Sequence, residues 1–150
     1  MKTRTPRLAA RAIIMHENRL LLVNAFRTNV SDLWCAPGGG IEAGHSIPDN
    51  LIREVREETG LVISVGAVAL VNEFHDPQSR FHQVEVFFRC EITSGQIDHS
   101  WRDPERVVTN RRFFSQSELP SIRLKPDSLP SIAFAPSAPA RYDPLEIIVR

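Results

Sequence analysis

The stretch GGGIEAGHSIPDNLIREVREETGL, residues 38–61, decides how this chain is read. Three consecutive glycines let the backbone turn tightly and bring a carbonyl close to a ligand, because no Cβ stands in the way. Ser46 with Asp49 three residues later is close to a capping box, with Asp in place of the longer Glu or Gln. Gly60 suits the left-handed residue that ends a helix. The stretch therefore predicts a glycine turn followed by a helix from about Ser46 to Thr59.

On a helix of 3.6 residues per turn, Ile47, Leu51 and Val55 form an apolar stripe with Ile52 at its margin. Glu54, Glu57 and Glu58 fall within an arc of about 100° that abuts this stripe, and Glu58 projects between Ile47 and Leu51. Like charges at this spacing cost about 0.2–0.5 kcal/mol per pair even in water. The core margin adds desolvation. A divalent cation, which takes hard oxygen ligands, would relieve both. The competing reading is an exposed helix whose acids pair with Arg53 and Arg56. The helix alone leaves the two open, and the glycines beside it favour the cation.

The rest of the chain supplies a sheet. "ARAIIM" and "RLLLVNAF", separated by His16 to Arg19, predict a hairpin. Leu33 to Ala36 predicts a short strand stopped by Pro37. "LVISVGAVALVNEF" and "QVEVFFRCEI" predict two long strands, the second interrupted by Glu85 and Arg89, with a turn at Asp76-Pro77. "RRFFSQSELP" adds another. Six of eleven prolines lie from Pro120 onward, so that region excludes a long helix, and a short one is expected around Asp127 to Phe134. "LEIIVR" reads as an added strand, against this sheet or against a partner chain in a homodimer. The class is α/β or α+β, a mixed sheet covered by a few helices. The expected organisation is one domain over residues 1–150 with a proline-rich extension from about 120.

Composition narrows the function. Eighteen basic and eighteen acidic residues cancel, which argues against binding a nucleic acid polymer through a broad positive surface. A small phosphate ligand needs only a local site. Arg11 breaks the first apolar run, and no uninterrupted run is long enough to span a bilayer, so no membrane partner and a cytoplasmic protein are expected. Cys35 and Cys90 lack zinc or disulfide spacing.

Gly39 to Leu61 closely resembles the signature of the Nudix hydrolase family. Gly39, Arg53, Glu54, Val55, Glu57, Glu58, Gly60 and Leu61 match it at the required spacing, and "LWCAPGGGIEAG" resembles the family's approach to the box. The resemblance implies an α/β/α sandwich and hydrolysis of a nucleoside diphosphate linked to another group, with Mg²⁺ or Mn²⁺. By position it implies Glu54, Glu57 and Glu58 as metal ligands, with a carbonyl of Gly38 or Gly39, and Arg53 as the residue that orients them. The general base varies in the family, so Glu54 and the outside acid Glu105 are both candidates. His45 stands where the family has its first glutamate, leaving three outcomes: an active enzyme with altered metal preference, a non-catalytic nucleotide sensor, or an unrelated structural role.

Several other residues carry weaker expectations. Arg27 sits where many relatives place a substrate-contacting basic residue, so a phosphate contact is expected there, with a solvated loop arginine as the alternative. His75 and His82 flank a turn, where polar turn residues compete with a second metal site. Trp34 is read as core, Trp101 as a loop residue open to base stacking, and Arg111 with Arg112 as a basic patch or ordinary strand alternation. Pro77, sixteen residues past Leu61, is a spacing associated with ADP-ribose pyrophosphatases of the family. A nucleoside triphosphate pyrophosphatase remains the other enzyme reading.

Overall fold

The first apolar run forms the strand on which the sheet is organised. In the computed structural model, which describes residues 4–150, this strand is β1 (Arg7–His16). It turns back at Glu17 and Asn18, both at positive φ, into β2 (Arg19–Asn24). Short strands β3 (Trp34–Cys35) and β4 (Gly38–Gly40) follow, then helix α1 (Ile47–Thr59). The long hairpin is β5 (Val62–Asp76) and β6 (Phe81–Ser94). After it come β7 (Arg111–Ser115), the short helix α2 (Leu129–Ala133), β8 (Arg141–Tyr142) and β9 (Glu146–Ile147).

All nine strands join one mixed sheet in the order β3-β2-β1-β6-β5-β8, with β4 on β1, β7 on β2 and β9 on β5. β1 pairs in parallel with β6 along its length. Its other edge is divided: Met15 and His16 pair with β2, whereas Ala9 to Arg11 pair with β4. The sheet therefore forks between β2 and β4. That fork exposes the Arg11 end of β1 to the loops.

Period-two alternation sorts side chains to the two faces. Ala10, Ala12 and Ile14 of β1, with Leu21, Phe88 and Cys90, pack against Leu51 and Val55 of α1. Ile13, Leu20, Leu22, Phe87 and Phe114 pack on the opposite face against Leu129, Ile132 and Ala133. Helices thus cover both faces, as a sandwich requires. The proline-rich region from 120 contributes directly to this second core, with Pro130 in the first turn of α2.

Ser46 caps α1 by accepting the Asp49 N–H at 3.1 Å, and Gly60 ends it at φ 77°. One expectation is corrected here, and one left open is decided. The three glycines are a strand on β1 rather than a turn. "LEIIVR" adds its strand in parallel to this chain's own β5, pairing Phe74 with Glu146, because β5 leaves that edge open.

Gly38 has the tightest constraint in β4. A Cβ there would lie 2.0 Å from the Ala10 carbonyl oxygen, at φ 152°. Gly38→Ala should therefore lower stability by about 2 kcal/mol or more, from backbone strain and the displaced β1–β4 pairing. Urea unfolding of the variant beside the wild type checks this; an unchanged midpoint would show that β4 can shift freely.

Candidate active site

The register of β4 sets the site. Gly39 is opposite Ala10, between the flanking bonds Ala12 N–H to Pro37 O (2.8 Å) and Ile41 N–H to Leu8 O (3.0 Å). Antiparallel alternation then directs the Gly38 N–H and carbonyl away from β1. The Gly38 N–H donates to Glu58 Oε2 at 3.1 Å, and its carbonyl accepts from Arg11 at 3.3 Å. Gly39 lies against Glu54, where a Cβ would sit 2.6 Å from the carboxyl carbon. Two carboxylates of α1 are thus brought onto the glycine strand by the absence of side chains.

These groups line a cavity of about 530 Å³ in the fork of the sheet, with Arg7, Arg11, Glu42, Asp103 and Glu105. Asp103 is buried and accepts the backbone N–H groups of Glu105 (3.0 Å), Val107 (3.1 Å) and Val108 (2.9 Å). This folds the loop so that Glu105 comes within electrostatic range of Glu54. Asn24 fixes the next loop residues, accepting from Thr109 and Asn110.

The charge balance is uneven. Burial pushes the Glu58 carboxyl up to about 8, helped by Glu54 and Asp103 and opposed by Arg11 and the Gly38 N–H. Burial likewise raises Glu54, against the pull of Arg53 and with the repulsion of Glu57 and Glu105. Burial also pushes the Cys35 thiol up to about 12, which removes it as a nucleophile. Arg11 is engaged by Glu85 in an ion pair and by the carbonyls of Ala36 and Gly38.

Arg53 pairs with Glu54 at 3.2 Å, Glu57 at 3.3 Å and Glu42 at 3.5 Å. Asn50, buried in α1, accepts the Glu42 N–H at 3.0 Å and donates to Ser46 O at 2.7 Å. Asn50 and Glu42 therefore hold the box loop on the helix. His45 is exposed outside the cavity, its N–H on the Glu42 carbonyl at 3.3 Å.

Arg27 is also exposed and does not line the cavity; Arg7 and Arg11 bring positive charge there instead. Trp101 has a structural contact, its indole donating to Glu57 O at 2.8 Å and its ring covering Gly60. Arg111 is buried, donating to the Glu58 and Val108 carbonyls, so it forms no surface patch with Arg112. His82 pairs with Glu73 at 3.0 Å in the β5–β6 hairpin, and neither lines the acidic cavity. Sequence reasoning passed over Arg7, Arg11, Asn50 and Asp103. Arg11 and Glu85 had a signal, since each interrupts an apolar run, but their pairing needs the parallel register of β1 and β6.

The donors facing the cavity are oxygens, which suits a hard divalent ion. Among the described residues no three Asp, Glu, His or Cys side chains are gathered closely enough to enclose an ion as they stand. The residues fit a metal by donor type, and a cation would stabilise the charged forms of Glu54 and Glu58 that burial disfavours.

The fold agrees with the comparisons. The NUDIX domain family's sequence model matches residues 5–134, and the chain belongs to that family. YjhB of Bacillus subtilis, provisionally named an ADP-ribose pyrophosphatase, is 30% identical over 125 residues, covering 81% of this chain and 56% of that protein. An ADP-ribose pyrophosphatase of Methanocaldococcus jannaschii is 28% identical over 92 residues, covering 61% and 54%. This chain spans little more than half the length of either curated relative. The crystal structure of an ADP-ribose pyrophosphatase from Streptococcus suis superimposes with a TM-score of 0.67 at 25% identity, covering 96% of this chain and 100% of that one.

Glu58 makes the metal-free protein sensitive to pH. Between the ordinary carboxylate value of 4.5 and about 8, the unfolded chain has released this proton while the folded chain keeps it. Its contribution therefore lowers stability as pH rises through that window and is flat on either side. Denaturant unfolding with chelator present, at pH values from about 5 to about 9, should show this decline, and Glu58→Gln should flatten it. An identical slope in the variant would assign the effect to other groups.

Proposed function

We propose that the chain is a metal-dependent hydrolase that cleaves the pyrophosphate linkage of a nucleoside diphosphate joined to a second group, with ADP-ribose the leading substrate. The observation that carries this reading is the cavity where Glu54, Glu58 and Glu105 face the glycine strand beside Arg7 and Arg11. The names of the relatives support ADP-ribose over a nucleoside triphosphate, as does the position of Pro77.

Glu54, Glu57 and Glu58, with the Gly38 carbonyl, would hold Mg²⁺ or Mn²⁺. When bound, the ion supplies charge screening of the pyrophosphate and acidifies a coordinated water. The chain's own residues do the rest. Arg53 keeps Glu54 and Glu57 oriented, as its two ion pairs suggest. Arg7, less engaged than Arg11, offers its guanidinium to a phosphate. Water attacks one phosphorus, the bridging P–O bond breaks, and the water's proton passes to Glu54 or Glu105. The products from ADP-ribose are AMP and a sugar phosphate.

The test is product identification from a panel of nucleoside diphosphate derivatives and nucleoside triphosphates with Mg²⁺ or Mn²⁺. Glu54→Gln should lower kcat by about 10²-fold or more, the usual worth of a positioned acid–base group. A comparable loss in Glu105→Gln assigns the base to Glu105; near-normal turnover assigns it to Glu54. Nucleotide binding without turnover of any substrate would replace the hydrolase reading with a sensor.

His45→Glu should leave the rate with Mg²⁺ the same or higher, since the exposed histidine lies outside the cavity while Asn50 and Glu42 brace the loop. Steady-state rates with each ion check this. A large drop would give the imidazole a direct role.

A further inference from the structure

The carbonyl of Gly38, one of the oxygens proposed to hold the metal, is gripped by a side chain to which the reaction assigns no step. Arg11 stands directly opposite Gly38 in the β1–β4 register, and the glycine has no side chain to compete for the space between them. The Arg11 Nη1 donates to two carbonyls, Ala36 O and Gly38 O, each at 3.3 Å. Between these two, the Pro37 carbonyl accepts the Ala12 N–H at 2.8 Å. Three successive carbonyls of the segment entering β4 are thus tied to two neighbouring residues of β1.

The guanidinium is itself fixed from behind. Its Nε donates to Glu85 of β6, which is 6% exposed. Glu85 also accepts from the Gln83 amide at 3.2 Å, and Gln83 accepts from Arg7 at 2.7 Å. A buried ion pair is weak evidence of a stabilising role, because apolar residues of similar volume often serve stability as well or better. What this pair does that apolar residues would not is hold a carbonyl oxygen at the edge of the acidic cavity.

We infer that Arg11 and Glu85 are positioning residues for metal binding. Arg11 occupies one acceptor site of the Gly38 carbonyl and sets the direction of the other. Glu85 fixes Arg11 and cancels its charge beside the incoming cation. A carbonyl oxygen has two lone pairs, so one can be held while the other takes an ion. Without Glu85 the guanidinium would repel that ion at short range. The inference rests on the metal-dependent hydrolase reading and adds two residues outside the acid set that decide how tightly the ion is held.

Titration of Mn²⁺ into the substrate-free protein, followed by the electron paramagnetic resonance signal of the unbound ion, tests this without catalysis. Arg11→Lys keeps the positive charge but loses the rigid fork that spans Glu85 and the carbonyls. It should bind Mn²⁺ about 10- to 100-fold more weakly, the usual loss when a partner that orients a metal ligand is removed. Glu85→Gln should lose at least as much, because the charge of Arg11 is then unopposed. Arg11→Met/Glu85→Met removes both charges together, so neither is stranded in the interior, and its urea midpoint should be kept or raised. It too should bind Mn²⁺ about 10- to 100-fold more weakly. A pair that served folding alone would lower the midpoint and leave the Mn²⁺ affinity of the folded variant unchanged. With ADP-ribose, the Mn²⁺ concentration that half-activates Arg11→Lys should rise by the same factor as its dissociation constant.

Wild-type Mn²⁺ affinity in the double variant, or in Arg11→Lys should the double variant not fold, would overturn the inference and leave the metal role of Glu54, Glu57 and Glu58 standing. Weakened Mn²⁺ binding in the variants of a protein that turns over no pyrophosphate would uphold the inference and remove the hydrolase reading. A wild-type protein that binds no Mn²⁺ would overturn both.

Discussion

The close approach of the glycine strand to β1 and to α1 is the constraint on which the site depends. A Cβ at Gly38 would collide with the Ala10 carbonyl, and one at Gly39 would collide with the Glu54 carboxyl. With neither present, the backbone fits between a sheet edge and a row of carboxylates. One edge of β4 is then used for pairing with β1, and the other turns an N–H and a carbonyl toward α1. The helix itself is placed by ordinary means: a serine cap, a left-handed glycine, and Leu51 with Val55 buried against β1. Its acids reach the backbone only because β4 contributes no side chains.

Charge is left unbalanced where the chemistry would occur and balanced around it. Arg53 ties Glu54, Glu57 and Glu42 together, while Arg11 is held by Glu85 and two carbonyls. Yet Glu54 and Glu58 still hold their protons more strongly than ordinary carboxylates, because burial and mutual repulsion outweigh those partners. A site that is unfavourable when empty is suited to a cation, whose binding would release protons.

The bracing of the box loop shows how position and role can separate. His45 stands where the family has a glutamate, and its side chain is exposed. Asn50 and Glu42 do the holding, through the Glu42 N–H and the Arg53 guanidinium. Asn50 was hard to notice in the sequence because it lies beside the apolar stripe and resembles an ordinary polar residue of a helix. Trp101 is a similar case: the sequence places it in a polar loop, and only the fold shows its indole reaching back to the end of α1.

The sequence by itself determined the elements and the acid set. Period two marked the hairpins, the cap and Gly60 bounded α1 to within a residue, and the spacing of Glu54, Glu57 and Glu58 put them on one face at the core margin. These are local properties, fixed by backbone geometry within a few residues. Tertiary structure decided what those residues meet. It made the glycines a strand, paired Arg11 with Glu85 through a register of residues 74 positions apart, brought Glu105 to Glu54 by way of Asp103, and set the C-terminal strand on the open edge of β5. No local pattern encodes such meetings, because each depends on which strand edges are free once the others have paired.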